Sequence, residues 1–198
     1  YDETYPEEVQ GLLRQQVIND LEADTHEVRF SGDIVNDLSY VAGVFYSDFA
    51  STNNVEAYTA VFRNSTAPDD LFRVITTPVI SAGESKEISY FGNLTYRFSG
   101  DTELSAGLRY IDYKNDSSVV LVDSDGVVQD TLGEYHSDEQ NAIYTLSLAH
   151  NFTEDVMGYV TMGSSWRPGN AAVGNSDTSR TALENSFMDI GPEESDSI

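Results

Sequence analysis

From residue 24 onward, hydrophobic and polar side chains alternate with a period of two. His26, Val28 and Phe30 alternate with Glu27, Arg29 and Ser31, and Leu38 to Phe49 is apolar on both faces. Ile88, Tyr90, Gly92, Leu94, Tyr96 and Phe98 oppose Ser89, Phe91, Asn93, Thr95 and Arg97. Leu104, Ala106, Leu108 and Tyr110 oppose Glu103, Ser105, Gly107 and Arg109. Two further runs follow: Ala142 to Phe152, with Tyr144, Leu146, Leu148 and Phe152 on one face, and Val156 to Trp166, with Val156, Val160, Met162 and Trp166. Alternation of this kind predicts strands, six of them. Several exceed the usual soluble strand of about 5–6 residues and suit a tilted bilayer crossing of about 9–11. Before them, Val9, Leu12, Leu13, Val17 and Leu21 recur at spacings of three and four behind Pro6. That spacing predicts a short helix over 7–22, with Gly11 as its weak point.

The connections sort the strands into an architecture. Short links at 31–37, 99–101 and 153–155 alternate with long ones at 50–86, 114–141 and 167–195. An up-and-down transmembrane β-barrel has short periplasmic turns at one end and long extracellular loops at the other. A soluble antiparallel meander has no reason to keep this order. The predicted fold class is therefore all-β: a partial antiparallel barrel of about six long strands, with the short helix in a loop. Its parts are a loop segment with the helix (1–23), strands and loops (24–166), and a loop leading into a truncated next strand (167–198).

Composition narrows the function. Lys and Arg number 10 against 34 Asp and Glu, a formal charge of −24. Such a surface repels phosphate backbones, so no nucleic acid is expected as partner. Without cysteine there is neither a disulfide framework nor a thiolate site. Twelve Tyr and nine Phe favour β-structure with aromatic surfaces. No apolar run approaches the length of a transmembrane helix, which leaves a barrel open. The opening Tyr1-Asp2-Glu3 carries no signal-peptide pattern. Tyr96, Phe98 and Phe152 beside the short turns, and Tyr46, Phe49, Tyr110, Tyr113 and Trp166 beside the long loops, are expected to form two aromatic girdles.

The segments THEVRFSGD (25–33), LSYVAGVFYSDF (38–49), ISYFGNLTYRFSGDTELSAGLRYIDYKND (88–116) and VMGYVTMGSSWRPG (156–169) resemble, in order and spacing, the barrel domain of TonB-dependent outer-membrane receptors. PEESDSI (192–198) is similar to the stretch that introduces the next strand in that family, without the Glu-x-Gly that usually follows. The resemblance implies a barrel of about 22 strands with a plugged lumen in the bacterial cell outer membrane. It also implies partners: the rest of the barrel, the plug domain, the TonB energy-transducing complex acting through that plug, and outer-membrane lipid. On this reading the chain is an interior piece of the barrel.

Few residues carry chemistry. Asp123-Ser124-Asp125-Gly126 between β-branched runs reads as a hairpin rather than a calcium loop. Glu134, His136, Asp138 and Glu139 read as a solvated loop, and His26 and His150 have no evident ligand partners. Sequons stand at Asn64, Asn93, Asn115 and Asn151; those at Asn93 and Asn151, in or at the end of strands, read as chance. No nucleophile–base order appears, so the chain is not expected to be an enzyme, and neither cofactor nor metal is expected. For ligand contact the candidates are Tyr58, Phe62 and Phe72 in the first long loop, with Trp166 and Arg167 at a strand exit. Aromatic rings there stack on sugars or planar chelates, and Arg pairs with carboxylates. The expected function is uptake of a scarce bulky nutrient, of the siderophore, cobalamin or oligosaccharide class. The alternative is a soluble secreted β-domain that binds glycan or a protein partner through its acidic loops.

Overall fold

A computed structural model of the chain describes residues 11–62, 71–75, 78–98, 100–123, 125–171, 181, 183–184 and 188–198. Its ordered elements are strands: β1 (Gly11–Val35), β2 (Leu38–Phe62), β3 (Leu71–Ile75), β4 (Val79–Phe98), β5 (Thr102–Val122), β6 (Val128–Thr153), β7 (Val156–Arg167), β8 (Asn170–Ala171), β9 (Asp189–Ile190) and β10 (Glu193–Ser197). One antiparallel sheet runs β1-β2-β4-β5-β6-β7-β10, and β3 pairs with the upper part of β2. Each long strand lies beside the next in sequence, as in an up-and-down barrel. PEESDSI supplies β10, which pairs with β7 from Glu193↔Arg167 to Ser197↔Gly163.

Turns confine one end. Asn36-Asp37, Gly100-Asp101 and Glu154-Asp155 close the hairpins, and Gly100 takes a positive φ of 79° that L side chains resist. Two of the three are stitched to a neighbouring strand: Arg97 N–H donates to the Asp37 carbonyl, and Asn151 N–H to that of Asp101, both at 2.8 Å.

The predicted helix is overturned within the described residues. Gly11 to Glu22 belong to β1 and pair residue by residue with Val61 to Ala50 of β2; 7–10 lie outside the described residues. Helical spacing lost because pairing with β2 holds the whole stretch extended, whereas Gly11 and the β-branched Val17 and Ile18 add little helix propensity.

The strands also run far beyond the predicted spans. β1, β2 and β6 hold 25, 25 and 26 residues, so much of the supposed long loops is strand. Alternation fades there because no lipid imposes an apolar period, although Val119 and Val122 are buried. The 114–141 connection shrinks to the link from Asp123 to Val127. Asp123 Oδ1 accepts from the N–H of Asp125 (3.0 Å) and Val127 (2.9 Å), its Oδ2 accepts from Gln129 Nε2 (2.8 Å), and Gly126 sits at φ 79°. The expected hairpin is there, and the carboxylate that a calcium loop would need is occupied in holding it.

One sheet face is apolar and uncovered. Tyr90 is 55% exposed and Leu108 60%, with Ile88, Leu94, Leu146, Leu148 and Val160 on the same side. No second layer lies over it among the described residues, so a sandwich is ruled out and lipid is the fitting cover. Ile88 to Phe98 spans ten residue steps of β4, roughly 33 Å of strand. At a tilt of about 40° that gives about 25 Å of height, the thickness of a barrel's apolar band.

Aromatic residues edge this band. Below lie the T-shaped Tyr96–Phe98 pair at 4.5 Å and Phe152, which packs edge-on against His150 at 4.8 Å. Above lie Tyr46, Tyr90 and Tyr110. Phe49 and Tyr113 do not join the upper girdle. Each falls an odd number of residues from its outward neighbours Tyr46 and Tyr110, and strand alternation turns it to the inner face.

Amide exchange is expected to be slow at 114–120 of β5, beyond the apolar band, in the intact protein in vesicles. Fast exchange there, at the rate of an open loop, would show that the strand extensions do not form.

Candidate functional site on the inner face

The polar face is crowded, as the inside of a closing sheet must be. Ser89 is fully buried and Ile111 is 6% exposed, against the open apolar face across the same strands. Phe91, the aromatic that breaks the polar pattern, explains itself here. Its register partner is Gly43, and a Cβ on Gly43 would sit 2.5 Å from Phe91 Cζ and from the Val28 carbonyl oxygen. The ring fills the space left by the missing side chain, the way aromatic residues rescue glycines in sheets.

Around this pair two arginines form a belt. Arg29, Gly43, Phe91 and Arg109 occupy one cross-strand row. Arg29 reaches across Gly43, its Cζ lying 5.7 Å from the Phe91 ring centroid, and pairs with Glu27 at 2.6 Å. Arg109 climbs toward the next rows: its Nε donates to Ser89 Oγ (3.0 Å), its Nη2 to Glu87 Oε1 (2.6 Å), and its guanidinium lies 5.1 Å from the Phe45 ring centroid. The Arg109 side chain is 36% exposed and that of Glu87 24%, so this pair is screened less than a surface one. Neighbouring rows below carry hydroxyls. Ser39, Thr95, Ser105, Ser147 and Thr161 are successive register partners, with Thr95–Ser105 at 2.8 Å and Ser147–Thr161 at 3.0 Å.

Above the belt the side chains shrink. Ser51, Gly83 and Ser117 form one row ending at Tyr135. Near this row the chain crosses the inner face. Pairing of β6 with β7 stops at Thr145↔Gly163. Trp166 then lies edge-on to Tyr113 of β5, ring centroids 5.9 Å apart, and Gly169 N–H donates to Glu139 Oε1 at 3.2 Å. A Cβ at Gly169 would come within 3.1 Å of both Glu139 Oε1 and the Tyr135 hydroxyl, so glycine permits the crossing.

The predicted ligand residues fall into two groups. Trp166 packs against Tyr113 of the inner face, away from the girdle assigned to it. Arg167 is an exposed partner of Glu193 at 3.4 Å. Tyr58 and Phe62 lie in β2 and Phe72 in β3, where Tyr58 pairs with Ile75, Phe62 with Leu71, and Phe72 with Val61. These are strand positions, not loop ones, and their side chains lie outside the described residues. The acidic cluster disperses by alternation: His136 pairs with Asp116 (2.5 Å) and Asp138 with Lys114 (3.1 Å) outside, while Glu139 faces in. Among the described residues no three or more His, Asp or Glu converge on a metal position. His26 stacks on Tyr46 and His150 bonds Thr102. The Arg29–Arg109 belt was missed; the lone Phe91 opposite a glycine was its only trace in the sequence.

Replacing Arg109 by Ala leaves the Ser89 hydroxyl buried without its donor and Glu87 without its cation. The expected loss is about 1–3 kcal/mol, read by chemical unfolding of the intact protein in vesicles. Gly43→Val is expected to abolish the folded, heat-modifiable form on gels, since Val28 backbone blocks the new side chain even if Phe91 moves.

Comparison with known proteins agrees with this geometry. The crystal structure of the ferric yersiniabactin uptake receptor FyuA from Yersinia pestis superimposes with a TM-score of 0.61 at 13% identity, covering 82% of this chain and 24% of that one. At that identity the likeness concerns the fold, and the chain spans about a quarter of that receptor's length. No curated protein matches the sequence. A family model described as TonB dependent receptor-like, beta-barrel, matches residues 2–198. The chain belongs to the TonB-dependent receptor β-barrel family.

Proposed function

We propose that the intact protein carrying this chain takes up a scarce, bulky nutrient of the siderophore, cobalamin or oligosaccharide class, driven through a plug domain by the TonB complex. As a member of its family the chain lies in the bacterial outer membrane, and its part is transport, not covalent chemistry. The observation that carries the reading is the asymmetry of the sheet. One face offers lipid an apolar band, and the other offers a solute a hydrogen-bonding wall with a row of small residues above it. The row of Ser51, Gly83 and Ser117 lets a large solute lie close to the backbone, and the Tyr113–Trp166 pair supplies flat surfaces on the same face. The hairpin of β2 and β3, with Tyr58, Phe62 and Phe72, and the exit residue Arg167 complete the proposed contacts.

Uptake is tested in cells that depend on the intact protein for growth on candidate nutrients. Gly83→Trp, which fills the space over this row of small residues, is expected to lower uptake at least tenfold while leaving the amount of folded barrel unchanged. Trp166→Ala is expected to weaken binding by roughly 5–30-fold, the worth of a lost stacking contact. Unchanged uptake by both variants would remove this part of the inner face from the solute's path.

A further inference from the structure

The ladder between β6 and β7 ends before the apolar band does. Its last pair is Thr145↔Gly163, yet the outward face of β6 carries Tyr144 and Ala142 above that pair. From Val128 to Tyr144, β6 pairs only with β5 among the described residues. Ser164 to Arg167 of β7 pair on their other side with β10, from Asp196↔Ser164 to Glu193↔Arg167. Above Gly163 side chains, not a ladder, join the two halves of the sheet. Tyr144 N–H donates to Ser164 Oγ at 3.0 Å, the Tyr144 hydroxyl to Asp196 at 3.3 Å, and Asn141 Nδ2 to Glu194. Farther along come the Trp166–Tyr113 contact and the Gly169–Glu139 hydrogen bond.

Carrying the register past Gly163 defines a second place for this strand end. Ser164 would pair with Tyr144, and Trp166 with Ala142. Alternation would then turn Trp166 outward, as it turns Met162 opposite Leu146. The row it would enter already holds Tyr90, Tyr110 and Ala142 as successive partners. Both tyrosines belong to the upper girdle, and Ala142 is small and exposed, which leaves room beside them for an indole. The extended ladder also has a natural end. Because the Tyr144 N–H faces β7, the pairs that exchange hydrogen bonds would be Tyr144–Ser164, Ala142–Trp166 and then Gln140–Pro168. Proline has no N–H, so the ladder would stop after Trp166. The two places thus trade contacts of similar worth. Backbone bonds and a girdle position lie outside; an aromatic pair and side-chain hydrogen bonds lie inside.

We propose that residues 164–167, together with the part of β10 paired to them, form a two-position strap. In the inward position seen here, Trp166 lies on Tyr113 and the chain at Gly169 is latched by Glu139 over the inner face. In the outward position the strand zips onto the free edge of β6, Trp166 completes the aromatic row in the lipid interface, and Tyr113 and Glu139 are uncovered. The wall of the barrel at this point is then part of its mouth. Trp166 in the girdle, as its place beside a long loop suggests, and Trp166 on the inner face are two states of one strand end. The inference rests on the membrane-spanning reading for the outward place of the indole, and needs no particular solute.

The test follows Trp166 by fluorine NMR in the intact protein, labelled with fluorotryptophan and held in phosphatidylcholine nanodiscs. Its signal is assigned as the one missing from Trp166→Phe. Wild type is expected to show two Trp166 resonances, of which only the outward one is broadened by lipid carrying a nitroxide at its headgroup. Tyr113→Leu removes the inward partner and is expected to raise the ratio of outward to inward signal roughly 2–10-fold. Ala142→Phe fills the vacant girdle place and is expected to abolish the outward resonance. A single Trp166 resonance that the nitroxide lipid leaves sharp, in wild type and in Tyr113→Leu alike, overturns the proposal. So does a ratio that neither variant changes. If the nitroxide lipid broadens no tryptophan signal and the protein fails to fractionate with membranes, it is the membrane reading that falls.

Discussion

Between the two aromatic belts, every backbone N–H and C=O must find its partner in an adjacent strand, because lipid offers none. The rest of the structure follows from this. It forces long, unbroken ladders, and Val79 to Phe98 of β4 pairs throughout with β5. Unbroken ladders in turn assign each side chain to a face and to a row. Once Lys86 lies opposite Lys114, the rows below and above are determined, down to Phe98 opposite Thr102.

Register is what turns an ordinary composition into two distinct surfaces. Arg29, Gly43, Phe91 and Arg109 come from four strands and have no relation in sequence, yet they share one row. The missing Cβ of Gly43 makes room for Phe91, and that ring then gives Arg29 a face to lie on. Arg109 covers Ser89 and reaches Glu87 because the inside of a curving sheet brings diagonal neighbours together. The outward face of the same strands spreads its side chains apart, and there lipid must fill the space.

The strands continue past the membrane because pairing is favourable in water too once a register has been set. Beyond Lys86 and Lys114 the ladder persists through Ser81↔Val119 and Val79↔Leu121, where Val119 and Val122 are buried. Residues 50–62 and 114–122 carry no sustained period-two signal and were legible only as loops. The same masking produced the false helix. Leu12, Leu13, Val17 and Leu21 are spaced for one helical face, and only the pairing of Gly11–Glu22 with β2 decides against it. The girdle residues Phe49 and Tyr113 were misplaced for a simpler reason: proximity in sequence to Tyr46 and Tyr110 says nothing of parity.

By itself the sequence determined the spans that lipid constrains, their turns, the hairpin at Asp123–Gly126 and the acidic exterior. Each of these is a local requirement: alternation against an apolar medium, a positive φ at Gly100 and Gly126, or an Asp side chain folding back on its own backbone. Tertiary structure alone decided the strand lengths beyond the bilayer, the Arg29–Arg109 belt, the crossing of Trp166 onto Tyr113 and the meeting of the two lysines. These depend on register between strands far apart in the chain, and a shift of one residue would have sent every one of those side chains to the opposite face.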